Sequence, residues 1–157
     1  LSKMKNFPCN IPEQSSIDIY DHLYKLLNKK IKHSIKTLKR NHKDFIGCYI
    51  QIKETDIPGH DNKPLEKKKM IELIDKKFFS FIKKAAIKHE WKVIVTCDHS
   101  TPCELKGHSN HPVPVLVYNP KESINDHAHR FNEIEARIGS LKTFLGKDFV
   151  EKVGLNR

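Results

Sequence analysis

A chain of 157 residues with a formal net charge of +10 has the length of one domain and can bury roughly 68–70% of its unfolded surface. No apolar run approaches the ~20 residues needed to cross a bilayer, and no signal-peptide pattern opens the chain. Neither a membrane partner nor secretion is expected. The four cysteines, Cys9, Cys48, Cys97 and Cys103, form no Cys-x-x-Cys pair and read as free thiols of a reducing compartment, with the cytoplasm as default. The basic residues fall along expected helices, as at Lys29, Lys30, Lys32, Lys36 and Lys39, without interleaved aromatics. They read as solvated faces rather than as a nucleic-acid surface, and their field would favour the approach of a phosphorylated substrate.

Residues 1–16 contain Pro8 and Pro12 without periodicity and read as a loop or severed linker, leaving 17–157 as the structured part. From Asp18 the pattern turns helical. Tyr20, Tyr24, Leu27, Ile31, Ile35 and Leu38 recur at helical spacing, and the helix is expected to end near Arg40–Asn41 with its stripe on a sheet. Residues 45–53 are rich in strand formers and read as a central strand. Pro58 and Gly59 then interrupt regular structure, which puts Asp56 and His60 in a loop leaving that strand.

Residues 64–88 carry the strongest helical pattern, with Pro64 in the first turn and Ile71, Ile74, Phe78, Ile82 and Ala85 as the buried stripe. A strand over 91–96 follows at once. This strand–helix–strand order implies a parallel, right-handed crossover, so the loops at 54–60 and 97–103 should share the carboxyl-end rim of the sheet. Only about fifteen residues, without helical pattern, separate this strand from the apolar run at 113–118, too few for a helical return, so that run is expected to be antiparallel. A polar loop from Asn119 to Asp126 leads to an expected helix over 128–144, ended by Gly146. His127 and His129 near its start read as solvent-exposed.

Asp56, His60, Asp98, His99 and His108 would thereby meet from three loops. Carboxylate and imidazole ligands without thiolate suit Mn²⁺, Mg²⁺ or Zn²⁺, and five are too many for one tetrahedral ion. They suit a pair of divalent ions about 3.5–4 Å apart, the arrangement that clamps phosphoryl oxygens during in-line displacement. A polar loop with incidental histidines is the plain alternative for 96–108.

The segments Asp56-Ile-Pro-Gly-His60, Thr96-Cys-Asp98-His99-Ser100-Thr101-Pro102-Cys103 and Gly107-His108-Ser109, running into Pro112-Val-Pro114-Val, resemble the alkaline phosphatase superfamily. They are most similar to the archaeal-type branch of 2,3-bisphosphoglycerate-independent phosphoglycerate mutases. The tail also resembles that branch, through Arg130-Phe131-Asn132-Glu133, Gly139 and Gly146-Lys147-Asp148. The likeness spans roughly 17–150.

The resemblance implies an α/β fold of three layers, α/β/α, with a mostly parallel sheet and one antiparallel strand. The domain would be an incomplete, carboxyl-terminal part of the metal-binding phosphatase domain. It implies that Asp56, His60 and His108 hold one ion and that Asp98 and His99 hold the other. It further implies interconversion of 2- and 3-phosphoglycerate, in glycolysis and gluconeogenesis, through a phosphoserine. The nucleophilic serine, an aspartate of the second metal site and the glycerate-holding domain belong to segments that these residues do not match. Ser100 is not the family's nucleophile and His111 is not one of its ligands. The chain opens on Leu1 rather than Met, so it reads as a fragment whose partner is the rest of the same protein. Such a fragment is expected to be inactive alone, to hold the second ion weakly or not at all, and to leave a sheet edge open to pairing.

Three other readings use the same residues differently. Another phosphatase or phosphomutase of the superfamily would share the ligands. A basic nucleic-acid-binding module would show steeply salt-dependent binding. A structural zinc module would use Cys97, Cys103, His99 and His108.

Overall fold

The computed structural model describes residues 5, 7–8, 19–122 and 126–155. Cys9, nearly all of the expected linker at 1–16, the expected helix start at Asp18 and part of the polar loop after Asn119 lie outside the described residues. The chain divides into two units, Leu1–Phe81 and Ile82–Arg157, the division falling within one helix.

In the first unit, α1 (Ile19–Asn41) buries Leu23, Leu27, Ile31 and Leu38 on one side, at steps of four, four and seven that keep to one helix face, with lysines on the opposite face. It ends at Asn41, where the sequence pattern stops, and the His42 N–H donates to the Leu38 carbonyl oxygen to close the last turn. Leu23 is buried although the expected stripe omits it, and Tyr20 and Tyr24 are only half-buried because their hydroxyls reach acidic partners.

The expected sheet beneath this helix is a helix instead. α1 packs on α3 (Pro64–Ile74) and on the five-residue π-helical turn Asp75–Phe79 that continues it. α4 (Ser80–His89) follows without a break, so the regular structure expected over 64–88 is present. Its buried face differs. Met70 is fully buried, whereas Ile71 is 51% exposed. A π-turn closes over five residues and carries each one less far round the axis, which brings Met70 and Phe78 onto one side and turns Ile71 out. Burial of Phe78, Ile82 and Ala85 agrees with the expected stripe.

Residues 45–53 form no strand. Ile46 and Tyr49 are 82% and 80% exposed, and a strand without a hydrogen-bonding neighbour has nothing to hold its extended backbone. Phe45 instead sets its ring edge-on to Phe7, with centroids 5.6 Å apart. The segment after it also departs from expectation. Ile57–His60 is a single helical turn, α2, rather than a loop. Proline is tolerated in a first helical turn, where its missing N–H would be an orphan anyway, and Asn62, at φ 51°, turns the chain out of it.

In the second unit, β1 (Val93–Val95) and β2 (Leu116–Tyr118) pair antiparallel with Val95 opposite Leu116. The antiparallel direction is the one that the short connection requires. This pair is the only sheet among the described residues, which contain neither a parallel pair nor the layering expected for the fold. An isolated antiparallel bridge joins Ser100 to Ser109 beyond the strand ends. The loop between them makes a 3₁₀ turn, Cys103–Leu105, and reverses at Lys106, φ 50°.

The helix expected over 128–144 is reduced to one turn, α5 (Glu133–Ala136), and α6 (Phe149–Lys152) follows a second 3₁₀ turn, Gly146–Asp148. Gly146 therefore opens a turn instead of ending a helix. Side chains that capture backbone donors cause the difference. Glu135 accepts from the N–H groups of His129 and Arg130 at 2.5 and 2.8 Å. Asp126 accepts from those of Ala128 and Ser140, both at 3.1 Å. Such bonds offer the backbone an alternative to the helical ladder. Asn132 caps the surviving turn by accepting from the Glu135 N–H at 2.8 Å. His127 and His129 are both exposed, as expected.

Candidate metal centre

Asp56 and His60 stand at the two ends of α2 in the first unit. One helical turn places residues i and i+4 on the same side, and the Asp56 Oδ2 to His60 Nε2 distance is 3.4 Å. Two ligands about 2.1 Å from one tetrahedral ion stand about 3.4 Å apart. A carboxylate oxygen and an imidazole nitrogen at this separation fit a divalent cation of the Mn²⁺, Mg²⁺ or Zn²⁺ kind, with no thiolate in the pair.

Asp98, His99 and His108 belong to the second unit, at the end where β1 stops. The His99 N–H donates to Asp98 Oδ1 at 3.2 Å, and His99 Nε2 lies 3.6 Å from Asp98 Oδ2. His99 Nδ1 hydrogen-bonds Thr101 Oγ1 at 3.2 Å. With Nδ1 so engaged, Nε2 is the nitrogen available to a cation, the division of labour that fixes the tautomer of metal-ligating histidines. The Ser109 N–H donates to the Ser100 carbonyl oxygen at 2.9 Å, and this bridge brings the His99 and His108 rings to a centroid distance of 3.6 Å. His111 hydrogen-bonds Ser109 Oγ through Nδ1 at 3.1 Å.

Three pairings around these ligands were not legible in the sequence. Glu54, only 3% exposed, pairs with Lys30 of α1 at 2.5 Å. Tyr20 donates its hydroxyl to Asp61 Oδ2 at 2.7 Å, and Thr101, 4% exposed, holds the His99 ring. Glu54 reads as one more solvated acid beside Asp56, and Lys30 as one lysine among many. Only Thr101, two residues from a candidate ligand, carried a local signal. Tyr24 donates to Glu66 Oε2 at 2.7 Å. Desolvation by burial, reinforced by the Glu66 carboxylate, pushes the Tyr24 phenol well above its ordinary range. The Glu66 carboxyl is held low, first by Lys69 and then by the Tyr24 hydroxyl.

The sequence pattern of the metalloenzyme superfamily matches residues 6–146 of the chain. The chain is 44% identical over 115 residues to the 2,3-bisphosphoglycerate-independent phosphoglycerate mutase of Saccharolobus islandicus, a match covering 73% of this chain and 27% of that protein. To the enzyme of the same name from Pyrococcus abyssi it is 41% identical over 108 residues, covering 69% of this chain and 26% of the relative. A solved protein structure from Pyrococcus horikoshii superposes with a TM-score of 0.68 at 32% identity, covering 83% of this chain and 39% of the other. The chain thus spans about a quarter of the length of these curated relatives.

Proposed function

We propose, from the fact that this chain belongs to the metalloenzyme superfamily, that it is the metal-carrying part of a cofactor-independent phosphoglycerate mutase. The observation that carries this reading is that all five ligand-type residues fall within the matched stretch 6–146, in a chain that is 44% identical to a named mutase. Superfamily membership implies divalent metal binding. Asp56, His60 and His108 would hold one ion, and Asp98 and His99 would contribute to the second. When bound, two such ions neutralise phosphoryl oxygens and favour an oxygen nucleophile at neutral pH.

The chain's own residues supply ligands and their orientation. Asp56 and His60 present one oxygen and one nitrogen from a single helical turn, and Thr101 turns the His99 ring so that Nε2 is offered. By likeness to the family, the nucleophile would be a serine of the part of the relatives that this chain does not match. Its hydroxyl would lose its proton as the oxygen bonds phosphorus, and the departing glycerate oxygen would take up a proton. The other hydroxyl of the reoriented glycerate would then lose its proton and bond phosphorus as the serine O–P bond breaks and the serine oxygen is reprotonated. The complete domain would be a three-layer α/β/α sandwich in which β2 is the one antiparallel strand of a mostly parallel sheet. Without the nucleophile the 157-residue chain should be inactive by itself.

An enolase-coupled assay tests this on the chain alone and on the chain mixed with the remaining part of the protein. Conversion of 3-phosphoglycerate only in the mixture is expected. Activity of the isolated chain would overturn the assignment of the nucleophile. A mixture that hydrolyses phosphomonoesters without isomerising phosphoglycerate would assign the chain to a phosphatase of the same superfamily.

A further inference from the structure

The turn that presents Asp56 and His60 is too short to hold its own shape. A helix of four residues, Ile57–His60, has little internal hydrogen bonding with which to offset the cost of nucleation. Both of its flanks are tied instead to α1, which is 23 residues long. Ahead of the turn, two positions before Asp56, Glu54 is 3% exposed and pairs with Lys30 at 2.5 Å. Its other oxygen, Oε2, is buried without a hydrogen-bond partner among the described residues, and among these the Lys30 ammonium is the charge seen to compensate this carboxylate. Behind the turn, directly after His60, Asp61 Oδ2 accepts from the Tyr20 hydroxyl at 2.7 Å. Tyr20 and Lys30 lie ten positions apart on α1, so one rigid helix grips both ends of the ligand-bearing turn.

We infer that Lys30 with Glu54, and Tyr20 with Asp61, are positioning pairs that hold Asp56 and His60 at metal-binding separation. A buried carboxylate is an expensive way to anchor a loop unless its partner is fixed, and a side chain on a long helix is fixed by the packing of that helix. Ligands held at the right distance before the cation arrives need no reordering when it binds. The inference rests on the reading of Asp56 and His60 as metal ligands, and the experiment separates the two.

Mn²⁺ is titrated into the 157-residue chain, with affinity measured by calorimetry and location by paramagnetic broadening of the His60 ring resonances. Asp56→Asn is expected to abolish the His60 broadening. Lys30→Met is expected to weaken Mn²⁺ binding about tenfold, within the range for outer-shell partners of metal ligands, and Lys30→Arg to restore most of it. Tyr20→Phe, which removes one exposed hydroxyl, is expected to weaken binding severalfold and decides the matter if Lys30→Met does not fold. A purely structural role would lower the melting temperature while leaving the Mn²⁺ affinity of the folded variants at the wild-type value, and that result overturns the inference. Wild-type chain that does not broaden His60, or Asp56→Asn that broadens it unchanged, overturns the ligand reading and the inference together.

Discussion

His99 and His108 lie ring against ring, with centroids 3.6 Å apart and planes tilted by 31°. Nine positions of sequence separate them, and the Ser100–Ser109 bridge closes that gap. Each histidine immediately precedes a bridge residue, so one backbone hydrogen bond, from the Ser109 N–H to the Ser100 carbonyl oxygen at 2.9 Å, sets both imidazoles in register.

Ser109→Pro removes that donor without replacing any candidate ligand, and it also restricts the backbone of His108 before it. The expected outcome is loss of the nuclear Overhauser contacts between the His99 and His108 rings. Amide protection across Val95 and Leu116, which pair independently, should persist. Unchanged ring contacts would show that some other force stacks the two histidines.

Thr101→Val keeps side-chain shape and deletes the hydroxyl that meets His99 Nδ1 at 3.2 Å. The His99 tautomer balance, read from long-range nitrogen–proton correlations, should move away from its wild-type value. With the remaining part of the protein present to complete the site, Mn²⁺ affinity at Asp98 and His99 should fall about 10–100-fold, as for other outer-shell partners. The fold should be retained, because the hydroxyl is exchanged for a methyl of similar volume.

Acid should loosen the 126–140 segment. Hydrogen bonding holds the Asp126 carboxyl low, chiefly from the Ser140 N–H and then from that of Ala128. The His129 N–H does the same for Glu135. A carboxylate whose folded value is depressed contributes stability above its unfolded value, about 4, and that contribution is lost as pH falls through the folded value. Hydrogen exchange at Ala128, His129, Arg130 and Ser140 should therefore accelerate selectively below about pH 4. Asp126→Asn should give the same acceleration at neutral pH and flatten the acid response at Ala128 and Ser140.

Met70→Ala should be among the most destabilising single changes in the first unit, because Met70 is fully buried and removal of such a side chain costs about 2–5 kcal/mol. Ile71→Ala should cost well under half of that, since Ile71 is 51% exposed. Urea unfolding of the two variants checks the order. A reversed order would mean that the π-turn at Asp75–Phe79 does not set which side of the helix is buried.

Helix α1 was legible because Leu27, Ile31 and Leu38 repeat at a period that water-exposed and buried faces impose locally. The antiparallel return of β2 was legible because a short connection leaves no room for a crossover. The five candidate ligands could be proposed from residue type and spacing, since carboxylates and imidazoles are the side chains that suit a divalent cation, although the strand expected ahead of Asp56 and His60 did not form. The buried side of α3 could not be read, because a single π-turn shifts the phase without changing composition. Residues 45–53 have strand-forming side chains, yet a strand exists only where a neighbour accepts and donates its hydrogen bonds.

By itself, then, the sequence determined the long helices and the direction of the strand pair found among the described residues, and it named candidate ligands by residue type. These depend on residue identity and on chain length between elements. Only the tertiary structure decided that Lys30 meets Glu54, that Tyr20 meets Asp61 and that Thr101 sets the His99 ring. Such pairings depend on which side chains distant parts of the chain bring within about 3 Å of each other, and a lysine or a glutamate looks the same in sequence whether it faces water or a buried partner.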